Sequence, residues 1–335
     1  MDFDFKEIFT FSFIESFKQK GAIKYLVFWS IFLIVLNILE SFAIYSIFAP
    51  VLNNPNISPS GVVSLIVYAA LFIGVLVIIA SLVAAFINYF ILALALKAKG
   101  KKQEQFTILR GIKLILLGIA SSFASFFSIF KLKFLLVPIA GIILVIVAFI
   151  LFFISSTMSS SYAGGQYLLA MLVVLFGVLL LFVALLLFLV YLVIICYNVL
   201  RLSMSQVIFV EGKKGLIDCL KSSWEITRGK VLSIFLVLFV IGIAVGVVGG
   251  IISVPLNVYM GSFNSVSQVA SFSKVIQLLV DPVVIVLSIP SILLQVAAMF
   301  IEAFALVAMY SFLSKSTKAN PKTALPKRKL SKGKK

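Results

Sequence analysis

Residues 134–200 read FLLVPIAGIILVIVAFILFFISSTMSSSYAGGQYLLAMLVVLFGVLLLFVALLLFLVYLVIICYNVL and contain no charged side chain. As a single helix these 67 positions would extend about 100 Å, whereas the hydrocarbon layer of a bilayer is about 30 Å thick. The run must therefore cross, turn and return. A mean hydropathy of +1.24 and a charged fraction of 12% also exclude a soluble domain. The sequence predicts an all-α, polytopic helical membrane protein.

Charged residues divide the rest of the chain into apolar blocks of similar kind. Residues 25–96 carry one charge, Glu40, and are long enough for two spans, at about 24–49 and 61–97. Residues 134–200 and 231–314 each provide two more spans, which makes six. The turns between paired spans are predicted, from their polar and turn-forming residues, at 53–61, 155–166 and 257–273.

Residues 114–130 are the segment on which the topology depends. Seventeen uncharged positions rich in Ser and Phe are marginal for a crossing and suit an interfacial or re-entrant helix. If this segment does not cross, the three predicted turns share one side, where Lys274, directly after the third turn, is the only one of the 28 basic residues. A seventh crossing would place a basic cluster on the outer side. The positive-inside rule therefore favours six spans in the cell membrane, with both termini cytoplasmic.

With six spans, the chain divides into three repeats of about one hundred residues within a single membrane domain, residues 1–315. Each repeat would contain a partly charged cytoplasmic helix, a span, an uncharged turn and a longer returning span. The predicted repeats are 2–98, 103–205 and 213–315. The tripeptide GKK recurs at 100–102 and 212–214, before the second and third repeats. Residues 316–335, rich in Lys and poor in apolar groups, are predicted to form a disordered basic cytoplasmic tail.

Residues 213–230, KKGLIDCLKSSWEITRGK, predict an amphipathic helix. On a helix, Leu216, Leu220 and Trp224 share one face with Ile217 beside them, while charged residues including Arg228 face away. Such a helix can lie in the headgroup layer or pack across the cytoplasmic ends of the spans; the sequence leaves both open. An aromatic stripe with the same spacing occurs near the N-terminus, at Phe5, Phe9, Phe13 and Phe17.

The run MSQVIFVEGKKGLIDCLKSSWEITRGK, from residue 204, resembles the signature of a broad family of bacterial and archaeal multi-pass proteins. That family is related to the membrane domain of glycerophosphodiester phosphodiesterases. The matching positions are Glu211, Gly212, Ser222, Ser223, Trp224, Arg228 and Gly229. The resemblance implies a helical membrane domain. It does not imply phosphodiesterase activity, because the catalytic domain and a cluster of histidines or carboxylates are missing from this sequence.

Polar residues within the predicted spans are candidate functional groups, because ionisable side chains are costly in lipid. The candidates are Glu40, Asn88, Arg201 and Glu302. Arg201 and Glu302 lie at similar predicted depth, so we expect an ion pair that joins the fourth span to the sixth. The alternative is that Arg201 reaches the interface and Glu302 is protonated or faces a crevice.

Other small and polar residues suggest how the spans pack. Asn37, Asn88, Asn198 and Gln295 predict hydrogen bonds between helices or, alternatively, a polar path. Gly242, Gly246 and Gly250 form a GxxxGxxxG ridge, which predicts close approach of another span of the same chain.

Several classes of enzyme are excluded by what the sequence lacks. It contains no histidine, no phosphate-binding GxxxxGK[ST] loop and no CxxC, and its two cysteines, Cys196 and Cys219, are too few for a disulfide framework. We therefore expect no catalysis, no cofactor and no metal. The sequence favours a protein that organises anionic lipid or partner proteins at the cytoplasmic face, with nucleic acid not expected as a partner. The alternative is a transporter of a small solute or lipid that uses the intramembrane polar residues.

Overall fold

The computed structural model describes residues 4–53, 59–101, 105, 107–159, 164–212, 215–265, 278 and 280–319. Every regular element among them is helical. The short N-terminal segment consists of α1 (Phe5–Phe9), a π-helical turn (Thr10–Glu15) and α2 (Ser16–Lys18). The helices that follow are α3 (Ala22–Asn53), α4 (Pro59–Ala98), α5 (Ile108–Phe126), a 3-10 turn (Ile129–Leu135), α6 (Leu136–Ser159), α7 (Gly164–Leu202), α8 (Ser205–Glu211), α9 (Leu216–Ile226), α10 (Val231–Ser265) and α11 (Pro282–Ala319).

Seven stretches of these helices are long and apolar enough to cross a membrane, which confirms a multi-pass protein. Six of them correspond to the predicted spans. The additional one is Ile108–Lys131, which contains the segment whose crossing the sequence left open. Its helix ends at Phe126, and Ser128 then adopts a left-handed conformation with φ of 48°. Residues 54–58, 160–163 and 266–273 of the predicted turns and residues 320–335 of the predicted tail lie outside the described residues, and the described parts of the turns are helical.

The chain forms two compact units, Met1–Leu116 with Met204–Lys335, and Leu117–Ser203. In the first unit α11 is the central helix, because it contacts α3, α4, α8, α9, α10 and the N-terminal segment. Its residues Phe300, Phe304 and Met309 are fully buried. Tyr25 on α3 stacks on Phe90 of α4, with ring centroids 6.3 Å apart. Helices α4 and α11 terminate at the same end of this unit, and we refer to that end as the "basic end".

The N-terminal segment docks onto α11 through a face that the sequence analysis did not predict. Ile8, Phe11, Ser12 and Ser16 are buried, and the Phe11 ring centroid lies 5.2 Å from that of Phe304. The predicted stripe of Phe5, Phe9, Phe13 and Phe17 is exposed or half-buried. The face that docks onto α11 therefore lies beside this stripe and not on it.

Helix α9 packs against α8 and α11, so it lies on the protein's own helices. Leu220 is buried and Leu216 and Trp224 are half-buried, in line with the predicted apolar face, and Arg228 is exposed. Ile217, predicted beside that face, is instead 67% exposed. The small residues Cys219 and Ser223 are fully buried. The contact face is thus rotated toward the small side chains, which allow the helices to approach closely.

In the second unit α6 and α7 pack along each other through glycines. Phe188 lies against Gly141 and Phe152 against Gly177, and a Cβ on Gly177 would be 3.3 Å from the Phe152 ring. By contrast, a Cβ on Gly242, Gly246 or Gly250 in the first unit would meet none of the described atoms within 4 Å. The expected close approach at that ridge is therefore wrong. It is the adjacent Gly249 whose Cβ would lie 3.3 Å from Leu294.

Five described residues have a positive φ, and each one separates helices: Gly21, Gly100, Ser128, Gly212 and Gly229. At the end of α4, the N–H of Lys101 donates to the carbonyl of Leu96 at 3.0 Å, and the N–H of Gly100 to that of Lys97 at 2.9 Å. This is the Schellman pattern, whose left-handed position disfavours residues with a Cβ. Both GKK tripeptides thus begin with a glycine that ends a helix.

Candidate functional site

Two groups of polar residues in the first unit are candidates for a functional site. The first lies at the basic end around Glu211, the last residue of α8. The Tyr310 hydroxyl donates to Glu211 Oε2 at 2.5 Å, and both residues are buried. Lys101 Nζ lies 4.0 Å from Glu211 Oε1 and 4.0 Å from the centroid of the Tyr310 ring. Helices α8 and α11 and the end of α4 are therefore joined by one charged cluster.

A second ion pair continues this cluster toward the N-terminal segment. Lys99 Nζ lies 2.8 Å from Glu7 Oε1 and 4.4 Å from the centroid of the Phe11 ring. The Lys101 ammonium also donates to Ser314 Oγ at 3.3 Å. Each lysine thus combines an ion pair with a cation–π contact, an arrangement that is stronger where water is partly excluded. The chemistry of this cluster is that of structural attachment, because its two carboxylates are paired with lysines.

The second group lines a groove of about 310 Å³ between α3, α10 and α11. Its polar lining consists of Asn37, Ser288, Ser291 and Gln295, and its apolar lining of Val245, Gly249, Ile292, Leu294 and Ala298. We call this the intramembrane groove. Asn37 and Gln295 are exposed, so the groove is open at its surface. Its polar groups suit hydrogen bonding to a ligand in an otherwise apolar setting.

The groove lies deep within the apolar part of the helices. Gln295 precedes Lys315 by 20 residues, and Asn37 follows Lys24 by 13 residues. At 1.5 Å per residue, these positions are about 30 Å and about 20 Å from the lysines at the basic end. Seven residues beyond Gln295, on the same face of α11, Glu302 is exposed. On this face α11 therefore carries polar groups over two further turns toward the basic end.

The predicted candidate residues lie at different sites. Glu40 is exposed on α3, three residues from Asn37, and Asn88 is half-buried on α4. Arg201 is buried in the second unit, where its Nη1 donates to the Tyr197 hydroxyl at 3.3 Å. Because Arg201 and Glu302 belong to different units, their ion pair stays a prediction.

A further polar contact in the second unit involves Asn198, one of the predicted interhelical groups. Its Nδ2 donates to the Ser125 carbonyl at 3.1 Å and to Ser128 Oγ at 3.0 Å. The Tyr191 hydroxyl donates to the carbonyl of Phe126. Side chains of α7 therefore donate to the carbonyls of Ser125 and Phe126 in the last turn of α5, to which the backbone supplies at most the 3.4 Å hydrogen bond from the Ser128 N–H to the Ser125 carbonyl.

Sequence reasoning missed the basic-end cluster and the serines of the groove. The groove had a detectable signal, because Ser288, Ser291, Gln295 and Glu302 recur at three, four and seven residues along one helix face. The cluster had none, since Lys101 and Tyr310 are separated by more than two hundred residues. Among the described residues, no group of three His, Cys, Asp or Glu side chains could hold a metal ion.

The chain matches no family model, no curated protein and no solved structure. The resemblance of residues 204–230 to membrane proteins related to the glycerophosphodiester phosphodiesterase membrane domain therefore stays an expectation from the sequence.

Proposed function

We propose that this protein is a non-catalytic integral membrane protein that holds anionic lipid at its cytoplasmic face. The observation that carries the proposal is the outer face of the N-terminal segment. Ile8, Phe11, Ser12 and Ser16 are buried where the segment packs on α11, whereas Phe5 and Ile14 are exposed and Phe9, Phe13 and Phe17 are half-buried. Lys6, Lys18 and Lys20 are exposed on the same segment. Phenylalanines that face outward beside lysines are typical of helices that lie in an anionic headgroup layer.

The test is a depth measurement on the reconstituted protein. In a variant with Cys196→Ala and Cys219→Ala, a fluorophore on Phe13→Cys is expected to be quenched by nitroxide-bearing lipids and protected from aqueous iodide. The matched control is Lys221→Cys on the exposed face of α9, where we expect the reverse. Equal iodide quenching at positions 13 and 221 would remove the basis for lipid binding by this segment.

We further propose that the chain crosses the membrane six times, with both termini on the cytoplasmic side. Support comes from the contact of Lys101 with Glu211, since residues that touch at one end of a unit are separated by an even number of crossings. Three candidate spans lie between them, and α5 is the one that ends at a left-handed residue. The pairing of Glu7 with Lys99 supports the N-terminus at that same end.

Accessibility labelling in sealed vesicles tests this topology. Single cysteines at Lys6 and Lys329 are expected to react with a membrane-impermeant reagent from the same side, and Ser58→Cys from the opposite side. Labelling of positions 6 and 329 from opposite sides would require an odd number of crossings.

The positions of the positive-φ residues support the proposed three repeats. Gly21, Ser128 and Gly229 each follow a short or amphipathic helix and precede α3, α6 and α10, respectively. Gly100 and Gly212 end α4 and α8. Each repeat would thus have an interface helix, a left-handed break and a pair of long helices.

Transport of a lipid or small solute is the second candidate function, and the intramembrane groove favours it. A transporter requires a polar passage that continues to both surfaces. On the face of α11 that carries Gln295 and Glu302, the next residues toward the basic end are Ala305 and Met309, both fully buried. Because these buried residues interrupt the polar face of α11, the groove does not continue along it to the basic end, which favours binding over transport. Release of a trapped solute from vesicles only when the protein is present would reverse the ranking.

A further inference from the structure

We propose that the intramembrane groove binds the headgroup of an amine-bearing membrane lipid, whose acyl chains lie on the surrounding apolar helix surface. The first observation is unsatisfied polarity. The Asn37 and Gln295 amides are exposed within long apolar helices, and no described residue forms a hydrogen bond with either of them. An amide without a partner in hydrocarbon is costly, so a ligand with hydrogen-bonding groups would stabilise this arrangement.

The second observation is the apolar surface around these amides. Val245, Ile292 and Leu294 line the groove itself. A water-soluble solute would leave this apolar surface uncovered. An amphiphile can contact the amides with its polar headgroup and the apolar residues with its hydrocarbon chains. At about 310 Å³ the groove is at the lower end of the range for ligand pockets, which suits a headgroup more than a whole lipid.

The third observation is the sign of the nearby charge. Glu40 lies one turn from Asn37, and Glu302 lies one turn, about 6 Å, beyond Ala298. Helix α10 carries no charged residue, and the lysines of α3 and α11 lie at the basic end. Among the described residues no cation pairs with either carboxylate, and an unpaired carboxylate favours a positively charged group over an anionic one. A headgroup amine would face a carboxylate while the amide N–H groups donate to the phosphate oxygens.

This site is independent of lipid binding by the N-terminal segment, because the two involve different residues and opposite charge. The phenylalanine stripe lies beside exposed lysines and favours anionic lipid. The groove lies between two carboxylates and favours an amine. A variant of one site is therefore expected to leave the other unchanged.

The experiment measures the lipid retained by the full-length protein after transfer into nanodiscs made of equal parts phosphatidylethanolamine and phosphatidylglycerol, followed by delipidating detergent. The wild-type protein is expected to retain phosphatidylethanolamine. The double variant Asn37→Leu/Gln295→Leu is expected to retain about tenfold less, since it loses at least two hydrogen bonds. The matched control is Asn257→Leu, which removes an exposed amide of α10 outside the groove and should change nothing.

Two further variants keep the proposal testable if the double variant does not fold. Ala298→Leu fills the groove and is expected to lower retention of both lipids at that site. Glu302→Gln is expected to remove the preference for the amine lipid, whereas Glu225→Gln on the exposed face of α9 should not. Equal retention of the two lipids by the wild-type protein would overturn the proposal. Unchanged retention in Ala298→Leu, or an unchanged preference in Glu302→Gln, would also overturn it.

Discussion

Replacing Glu211 with alanine is expected to destabilise the first unit by about 3 kcal/mol, because it leaves a partly buried lysine and a buried tyrosine hydroxyl without their shared partner. Glu211 accepts from Tyr310 at 2.5 Å and lies 4.0 Å from Lys101 Nζ. The loss should appear as a lower denaturation midpoint of the purified protein in detergent. It should also expose the basic end to limited proteolysis.

A double-mutant cycle separates the two contacts of Glu211. Tyr310→Phe removes only the hydroxyl and keeps the ring next to Lys101. We therefore expect it to lower the free energy of unfolding by about 1–2 kcal/mol. Lys101→Met keeps the aliphatic chain and removes the charge. If the effects of Glu211→Ala and Tyr310→Phe simply add, the two residues are not coupled and the cluster does not join α8 to α11.

The second large effect is expected for Asn198→Leu, which should lower the free energy of unfolding of the second unit by about 2 kcal/mol. Asn198 is 1% exposed and donates to both the Ser125 carbonyl and Ser128 Oγ. Leucine cannot donate, so the Ser125 carbonyl would keep only the 3.4 Å hydrogen bond from the Ser128 N–H, and Ser128 Oγ would lose a donor in an apolar setting. The second unit should then unfold at a lower temperature, and backbone amides near residues 125–128 should exchange hydrogen faster.

The control for this variant is the neighbouring residue. Val199 is exposed on α7, so Val199→Leu changes the same helix with little effect on stability. Tyr191→Phe tests the other donor to the end of α5 and should cost less than Asn198→Leu, because it removes one bond. Equal stability of Asn198→Leu and Val199→Leu would mean that these hydrogen bonds do not hold the end of α5.

Charge patterning was sufficient to predict the long helices, because a lysine or arginine is costly in hydrocarbon and therefore marks where a span ends. The predicted spans at 24–49 and 61–97 lie within α3 and α4. The same reasoning did not decide whether α5 crosses the membrane. Its sequence is apolar enough for a span, and what distinguishes it is the left-handed break at Ser128, which no propensity rule assigns to serine.

Contact faces were harder to predict than helices, because close packing selects for small residues as much as for apolar ones. In α9 the large apolar side chains indicated the contact face, whereas Cys219 and Ser223 are the residues fully buried there. In the N-terminal segment the phenylalanines have regular α-helical spacing in the sequence, but a π-helical turn over Thr10–Glu15 interrupts that spacing. The hydrogen-bonded pairs of residues that the basic-end cluster joins are separated by between 92 and 213 positions in the chain, and local patterns carry no information about such pairs.

The central position of α11 has a consequence for biosynthesis. This helix leaves the ribosome after all of the other described helices, yet it contacts the N-terminal segment, α3, α4, α8, α9 and α10. The earlier helices must therefore enter the bilayer and wait there without the partner that completes their packing. A nascent chain that stops before Pro282 would leave small and polar helix faces uncovered, which makes it a natural substrate for membrane quality-control proteases.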